Sequence, residues 1–179
     1  VEADLKRSGL FSAIPRRDML AFPSIAKDVY YRDWRMLGTE YLVVGAMTPI
    51  GEGRYQLDFS LLNVNAQKTE FNHRVSGTKS QMRDLAHLIS DKIYQEITGI
   101  RGAFSTRLAY VTANRENGKY VYRLNVSDAD GAREKLMLES PEPIMSPSWA
   151  PNGKELAYVS FETGRPAIFR QNLVTASRQ

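Results

Sequence analysis

Leu108–Thr112 (LAYVT) and Leu156–Ser160 (LAYVS) are two nearly identical segments that begin 48 residues apart, and they decide the fold of the second half of the chain. The similarity continues downstream, where Val121–Val126 (VYRLNV) matches Ile168–Leu173 (IFRQNL) at an offset of 47 residues. Both pairs are rich in β-branched and aromatic residues, which is typical of strands. An all-strand repeat of about 40–50 residues is the period of a β-propeller blade. The repeat therefore predicts that a propeller begins here.

Turn signals such as Asn117-Gly118 and Asn152-Gly153 separate the predicted strands. Residues 104–179 supply about one and a half to two blades, whereas a propeller closes with about four to eight. Each blade buries its faces against its neighbours. We therefore expect this incomplete segment to be loosely held or to pair with another molecule.

The segment Ser146–Gly153 (SPSWAPNG) predicts the innermost strand of the second blade. Pro147 and Pro151 restrict this predicted strand to three residues, because proline cannot donate to a strand ladder. We expect Trp149 to fill space between blades. The preceding loop, residues 142–146, is predicted to line the mouth of the propeller channel, where a partner can bind.

Residues 1–103 mix helical and strand patterns and predict an α+β domain in which helices pack on a sheet. Three segments have a helical pattern closed by a glycine: Val1–Gly9, Arg32–Gly38, and Ser80–Gly99 with Ser80 as the N-cap. Three segments have a strand pattern: Tyr41–Met47, Tyr55–Leu61 and Lys68–Ser76. The continuous apolar run of the first predicts a buried central strand, the alternation of the second a half-exposed strand, and the polar third an edge strand.

The composition is that of a globular protein: 42% of the residues are hydrophobic and 25% are charged. The net charge of +4 permits an acidic partner without requiring one. No cysteine is present, which excludes disulfide frameworks, thiolate zinc sites and cysteine nucleophiles. No apolar run reaches the roughly 18 residues of a membrane-spanning helix, so no membrane span is expected.

No pattern in the chain predicts an active site. His73 and His87 have no second ligand at metal-binding spacing, and Gly51–Gly53 lacks the third glycine of a dinucleotide-binding loop. Asp128–Gly131 resembles the inside of a calcium loop, but Val126 stands where the first acidic ligand belongs, so a turn is predicted. We therefore expect no catalytic residue, no cofactor and no metal.

A cluster of basic and aromatic residues favours an alternative function. Arg16-Arg17 and Tyr30–Arg35 (YYRDWR) combine side chains that can pair with phosphates and stack on bases. No RNA-binding motif accompanies them. An RNA-binding module is therefore the alternative to a protein-interaction scaffold, and a propeller-bearing serine peptidase would need a hydrolase domain outside these residues.

Three stretches strongly resemble the TolB family of the Tol-Pal cell-envelope system: Ile97–Val111 (ITGIRGAFSTRLAYV), Leu124–Gly131 (LNVSDADG) and Ser146–Arg165. The resemblance implies an N-terminal α/β domain similar to the anticodon-binding domains of some tRNA synthetases, over residues 1–103 and lacking its first strand. It implies that residues 104–179 begin a six-bladed propeller.

The same resemblance implies a function without catalysis. Proteins of this family are periplasmic, bind the peptidoglycan-associated lipoprotein Pal through the propeller, and bind TolA through an N-terminal segment that we expect to precede Val1. They maintain outer-membrane integrity and its invagination during cell division, and some colicins use the same route for uptake. Only the loop before Ser148 matches the Pal-binding loops, so the resemblance implies Met145 and Ser146 as partner-binding residues. No nucleic-acid partner is expected.

Overall fold

The structure is a computed structural model that describes residues 1–179 and divides into two compact units, Val1–Ser105 and Thr106–Gln179. The first unit contains three helices and three strands: α1 (Glu2–Arg7), α2 (Tyr31–Met36), β1 (Tyr41–Pro49), β2 (Arg54–Asn63), β3 (Lys68–Thr78) and α3 (Met82–Thr98). The second unit contains six strands: β4 (Arg107–Glu116), β5 (Lys119–Asp128), β6 (Lys135–Ser140), β7 (Ile144–Trp149), β8 (Glu155–Ser160) and β9 (Ala167–Asn172). None of the three helices has the length and apolar character needed to cross a membrane.

The sheet of the first unit is antiparallel with the order β1-β2-β3, and it is covered on both faces. On one face Phe59 and Leu61 of β2 pack against Ile89 and Ile93 of α3. On the other face a second cluster joins Leu62 of β2 to Val44 of β1 and Trp34 of α2, together with Val29 and Val64. Because successive strand residues point to opposite faces, β2 contributes to both cores.

The prediction that Tyr41–Met47 forms a buried central strand is wrong. β1 has β2 as its only neighbour in the sheet, and Val44 is its only buried residue. The central position belongs to β2, which was predicted to be half-exposed, whereas β3 is an edge strand as predicted. An apolar run shows that a strand tolerates burial on both faces, but strand order depends on pairing with distant segments, which a local pattern does not report.

Helix α3 begins at Met82 with Gln81 as its N-cap, one residue later than the predicted N-cap Ser80. Lys79–Gln81 form a 3₁₀ turn, and the predicted cap Ser80 lies inside it. This turn is capped by Thr78 and Gln81, since the Gln81 side-chain oxygen accepts a hydrogen bond from the Thr78 N–H at 2.9 Å. The other end is as predicted: Gly99 has a φ of +73° and its N–H donates to the Gln95 carbonyl.

A buried polar cluster joins α1 to α3. Asp4 is almost fully buried, and its Oδ2 accepts hydrogen bonds from His87 Nδ1 at 2.9 Å and Ser90 Oγ at 2.7 Å. Arg7 approaches the other carboxylate oxygen at 3.3 Å. Burial by itself raises the pKa of Asp4, but the hydrogen bonds from Ser90 and His87 outweigh it and lower the pKa below its ordinary value of 3.8.

We predict that Asp4→Asn lowers the free energy of unfolding at pH 7 by about 1–3 kcal/mol, because an amide replaces the charged acceptor of two buried donors. A carboxyl whose pKa is lowered by folding stabilises the fold above its unfolded-state pKa, and that contribution is lost as the pH falls through the lower folded-state value. The difference between wild type and Asp4→Asn should therefore shrink below about pH 4. Urea unfolding at pH 7 and pH 3, followed by circular dichroism, measures it.

The matched control is Glu2→Gln, which removes an exposed carboxyl from the same helix and should change the stability by less than about 0.5 kcal/mol. A difference between wild type and Asp4→Asn that is equal at the two pH values would contradict the ionised state assigned to Asp4.

The second unit consists of two antiparallel three-stranded sheets, β4-β5-β6 and β7-β8-β9. The repeated sequences coincide with the paired strands: hairpin β4–β5 in the first sheet corresponds to hairpin β8–β9 in the second. Beyond β9 the chain turns back, and Arg170 and Gln179 exchange two backbone hydrogen bonds of 2.9 and 3.0 Å. These last residues add to the outer edge of the second sheet. The predicted incomplete propeller is confirmed as the fold of this unit.

The Asn-Gly turn of the second unit is also where the sequence predicted it. Asn117 and Gly118 have φ values of +50° and +82°, the signs that a two-residue hairpin turn requires. The turn after β5 is stabilised by an ion pair, in which Arg133 Nε donates to Asp128 at 2.8 Å. The carboxylate of Asp128 is thus bound by a guanidinium within its own loop.

The two sheets of the second unit share one hydrophobic core, in which Leu124 and Leu156 are fully buried. A buried glutamine links the sheets through this core. Gln171 of β9 accepts a hydrogen bond from the Tyr158 hydroxyl at 2.9 Å and donates one to the Met137 carbonyl of β6 at 3.1 Å. Both polar groups of the Gln171 amide are therefore satisfied inside the core.

We predict that Gln171→Ala lowers the free energy of unfolding of the second unit by about 1–3 kcal/mol, because the Tyr158 hydroxyl loses a buried acceptor and the Met137 carbonyl loses a donor. Hydrogen exchange of the β8 and β9 amides measures the change. Asn114→Ala, at an exposed position of β4, is the control and should leave exchange unchanged. Equal exchange in the two variants would show that the link does not stabilise the pair of sheets.

Candidate functional site

The segment predicted to bind a partner lies in β7, which is longer than its prolines indicated. β7 spans six residues rather than three, and the predicted three-residue strand is wrong. Met145 pairs with Val159 and Ser148 with Ala157, so the ladder is interrupted by a bulge between Met145 and Ser148. Pro147 has no N–H to donate and is placed where no ladder hydrogen bond is needed. The bulge lets the strand continue through the proline.

Ser146 has an unusual backbone conformation for a residue in a strand. Its φ is +53°, in the left-handed region. The other non-glycine residues with positive φ lie in turns and loops: Glu52, Gln67, Asn117, Arg133 and Ala176. The left-handed conformation costs a non-glycine residue about 1–2 kcal/mol. Such strain is concentrated at functional sites in proteins.

The side chains around the bulge alternate between core and solvent. Ile144 is buried in the core between the sheets, whereas Met145 is 51% exposed and Ser146 is also exposed. Methionine is flexible and polarisable, so it adapts to varied partner surfaces. Ile144 thus anchors the start of β7 while Met145 and Ser146 face solvent.

We predict that Ser146→Gly stabilises the second unit by up to about 1 kcal/mol, because glycine adopts a positive φ without steric cost. Ser148→Gly is the matched control, since Ser148 lies in the same strand without a positive φ and should destabilise by about 0.5–1 kcal/mol. Thermal unfolding of both variants measures the two shifts, which should have opposite signs. Destabilisation by both would show that Ser146 is not strained.

The other end of β7 is held by an aromatic contact. The guanidinium of Arg107 lies 4.7 Å from the centroid of the Trp149 ring and donates to the Gly153 carbonyl at 2.5 Å. Trp149 packs against the core cluster to which both sheets contribute, as predicted from its position between the two prolines. The geometry of β7 is therefore fixed at both ends of the bulge.

The two histidines have structural surroundings. The His73 ring packs against Phe59 and Phe71, with centroid separations of 5.9 and 5.7 Å. His87 binds the carboxylate of Asp4, which sequence reasoning missed because 83 residues separate the two. The signal that was available is a polar residue on the apolar stripe of α3, but that signal does not identify its partner.

The cluster of basic and aromatic residues considered for RNA binding is divided by the fold. Trp34 is buried in the core and is only 3% exposed, whereas Tyr30 is 77% exposed. Arg32 is within 3.7 Å of the Asp33 carboxylate. The aromatic rings of this segment therefore do not form one stacking surface.

Two family models match the chain: the TolB amino-terminal domain over residues 1–69 and the TolB beta propeller domain over residues 94–179. The chain belongs to the TolB family. Its fold is accordingly the TolB N-terminal domain followed by part of the propeller, as the sequence resemblance implied. These matches do not favour the RNA-binding alternative.

Individual TolB proteins are similar over nearly the whole chain. The Tol-Pal system protein TolB of Marinomonas sp. strain MWYL1 is 50% identical over 180 residues, which cover 100% of this chain and 42% of that protein. The protein of the same name from Pseudomonas fluorescens strain Pf0-1 is 49% identical over 177 residues, covering 98% and 41%. The crystal structure of TolB from Acinetobacter baumannii superposes with a TM-score of 0.90 at 38% identity, covering 99% of this chain and 44% of that one. The chain thus spans about two fifths of the length of the curated relatives it matches.

Proposed function

We propose that this chain is part of a non-enzymatic, periplasmic component of the Tol-Pal system that acts by binding other proteins. The observation that carries the proposal is the identity of 48–50% between this whole chain and several proteins named Tol-Pal system protein TolB. A propeller supports it physically, because its loops present a broad surface on a rigid scaffold.

We further propose that the surface at the β7 bulge binds the peptidoglycan-associated lipoprotein Pal and that Met145 and Ser146 contact it. Two features support this site: Met145 is an exposed apolar side chain beside a buried anchor, and Ser146 is held in a strained conformation. Rigid presentation limits the entropy lost on binding. Such a contact relies on shape and apolar burial rather than on a charged pair.

The parent protein, of which this chain is part in our proposal, has a wider role in the cell envelope. We propose that residues 1–103 are the α/β domain and that residues 104–179 are part of a six-bladed propeller. We propose that TolA binds the N-terminal region of the parent protein. In this assignment the protein maintains outer-membrane integrity and its invagination during cell division, and colicin uptake uses the same contacts.

The test uses the full-length protein that contains this chain and soluble Pal without its lipid anchor. We predict that Met145→Ala and Ser146→Arg each raise the dissociation constant by about fivefold or more, because one removes apolar contact area and the other adds a bulky charge at the interface. Isothermal titration calorimetry measures the affinity.

Val174→Ala is the matched control, since Val174 is 80% exposed in the turn after β9, at the end of the sheet where Asn172 pairs with Glu155 rather than where Met145 pairs with Val159. Its affinity should equal that of wild type. A wild-type protein that does not bind Pal would overturn the proposed partner. Normal binding by both Met145→Ala and Ser146→Arg would overturn the site while leaving the partner in place.

A further inference from the structure

The middle of α3 carries a buried carboxylate that binds the last residues of the first unit. Asp91 Oδ1 accepts a hydrogen bond from the Phe104 N–H at 2.7 Å. Its Oδ2 accepts one from the Ser105 N–H at 3.1 Å and another from the Ser105 hydroxyl. One side chain thus binds two consecutive backbone amides and a hydroxyl of the segment that follows the helix.

A buried aspartate in the middle of a helix is intrinsically unfavourable, so other contacts must stabilise Asp91 there. Aspartate is a poor helix former in a helix interior, and a buried charge costs free energy unless it is paired or hydrogen-bonded. Asp91 forms no ion pair, so the three donors at Phe104 and Ser105 compensate its charge. Charge-assisted hydrogen bonds of this kind are stronger than those between neutral groups.

Close packing of the backbone supports the same contact. Gly102 lies directly against the helix, and a Cβ atom at this position would be 2.6 Å from the Asp91 Cα. Its φ is not positive, so the reason for glycine is space rather than backbone conformation. The Phe104 ring packs edge to face on Tyr94 of α3, with a centroid separation of 5.6 Å.

The segment that Asp91 binds has no regular secondary structure of its own. Residues 101–105 form no helix or strand. Arg101, Ala103 and Ser105 are exposed, whereas Gly102 is buried against the helix. Ordering the backbone of such a segment loses conformational entropy, and side-chain contacts must offset that loss.

We propose that Asp91 is a latch that holds residues 102–105 on α3, and that breaking its hydrogen bonds converts these residues into a flexible connection while the rest of the first unit stays folded. Asp91 is a positioning residue in this assignment. The proposal is independent of the function proposed above, because it concerns only contacts within the first unit.

The test compares Asp91→Ala with wild type by hydrogen exchange and limited proteolysis. We expect the Phe104 and Ser105 amides to exchange on the order of tenfold faster or more, because each loses a charge-assisted hydrogen bond. Trypsin should cleave after the exposed Arg101 faster by a similar factor. Amides of Ile89 and Ile93 in the core face of α3 should keep their protection.

Glu96→Ala is the matched control, since it removes an exposed carboxylate from the same helix and should change neither measurement. Wild-type exchange at Phe104 and Ser105 in a folded Asp91→Ala protein would overturn the latch. If Asp91→Ala does not fold, Gly102→Ala provides the test, because its added Cβ would clash with the carboxylate and Cα of Asp91 and so separates the segment from the helix without removing the carboxylate. Unchanged exchange and cleavage in Gly102→Ala would then overturn it.

Discussion

Leu61 and Leu62 are adjacent residues of β2, they point to opposite faces of the sheet, and both are completely buried. Leu61 belongs to the core under α3, and Leu62 belongs to the core with α2. Burial of each leucine contributes about 1.5–3 kcal/mol. A slip of one residue would exchange the faces and bring Asp58, which pairs with Arg74 at 2.5 Å, under α3. The register of β2 therefore fixes both layers of the first unit at once.

The helices of the first unit depend on that sheet. α1 has only six residues, which is too short for a helix to be stable alone in water. It is held by Leu5, which packs on the core under α3, and by Asp4, which binds His87 and Ser90 of α3. The hydrogen bonds make the position of α1 specific, because an apolar contact alone tolerates sliding.

The sequence predicted correctly those features of the fold that depend on residues close together in the chain. The turn at Asn117-Gly118, the end of α3 at Gly99 and the repeated hairpins follow from backbone preference and short-range periodicity. The edge position of β1 and the pairing of Asp4 with His87 depend on segments far apart in the chain, so no short window contains them. The bulge in β7 was missed because two prolines were read as strand ends, whereas the ladder continues past Pro147. For the candidate site, the sequence indicated Met145 and Ser146 through the family resemblance but did not show the strain at Ser146.

Ser146 and Asp91 are both in locally unfavourable conformations or positions. They differ in whether contacts within the chain offset the free-energy cost. The cost of aspartate inside a helix is offset within the chain, by the amides of Phe104 and Ser105. Ser146 has a left-handed backbone in a strand, and its side chain forms no hydrogen bond within the chain. Sequences that fold well keep such local conflicts mainly where function requires them. Strained backbone conformations are concentrated at functional sites, and the exposed, strained Ser146 therefore supports the proposal that a partner binds at the β7 bulge.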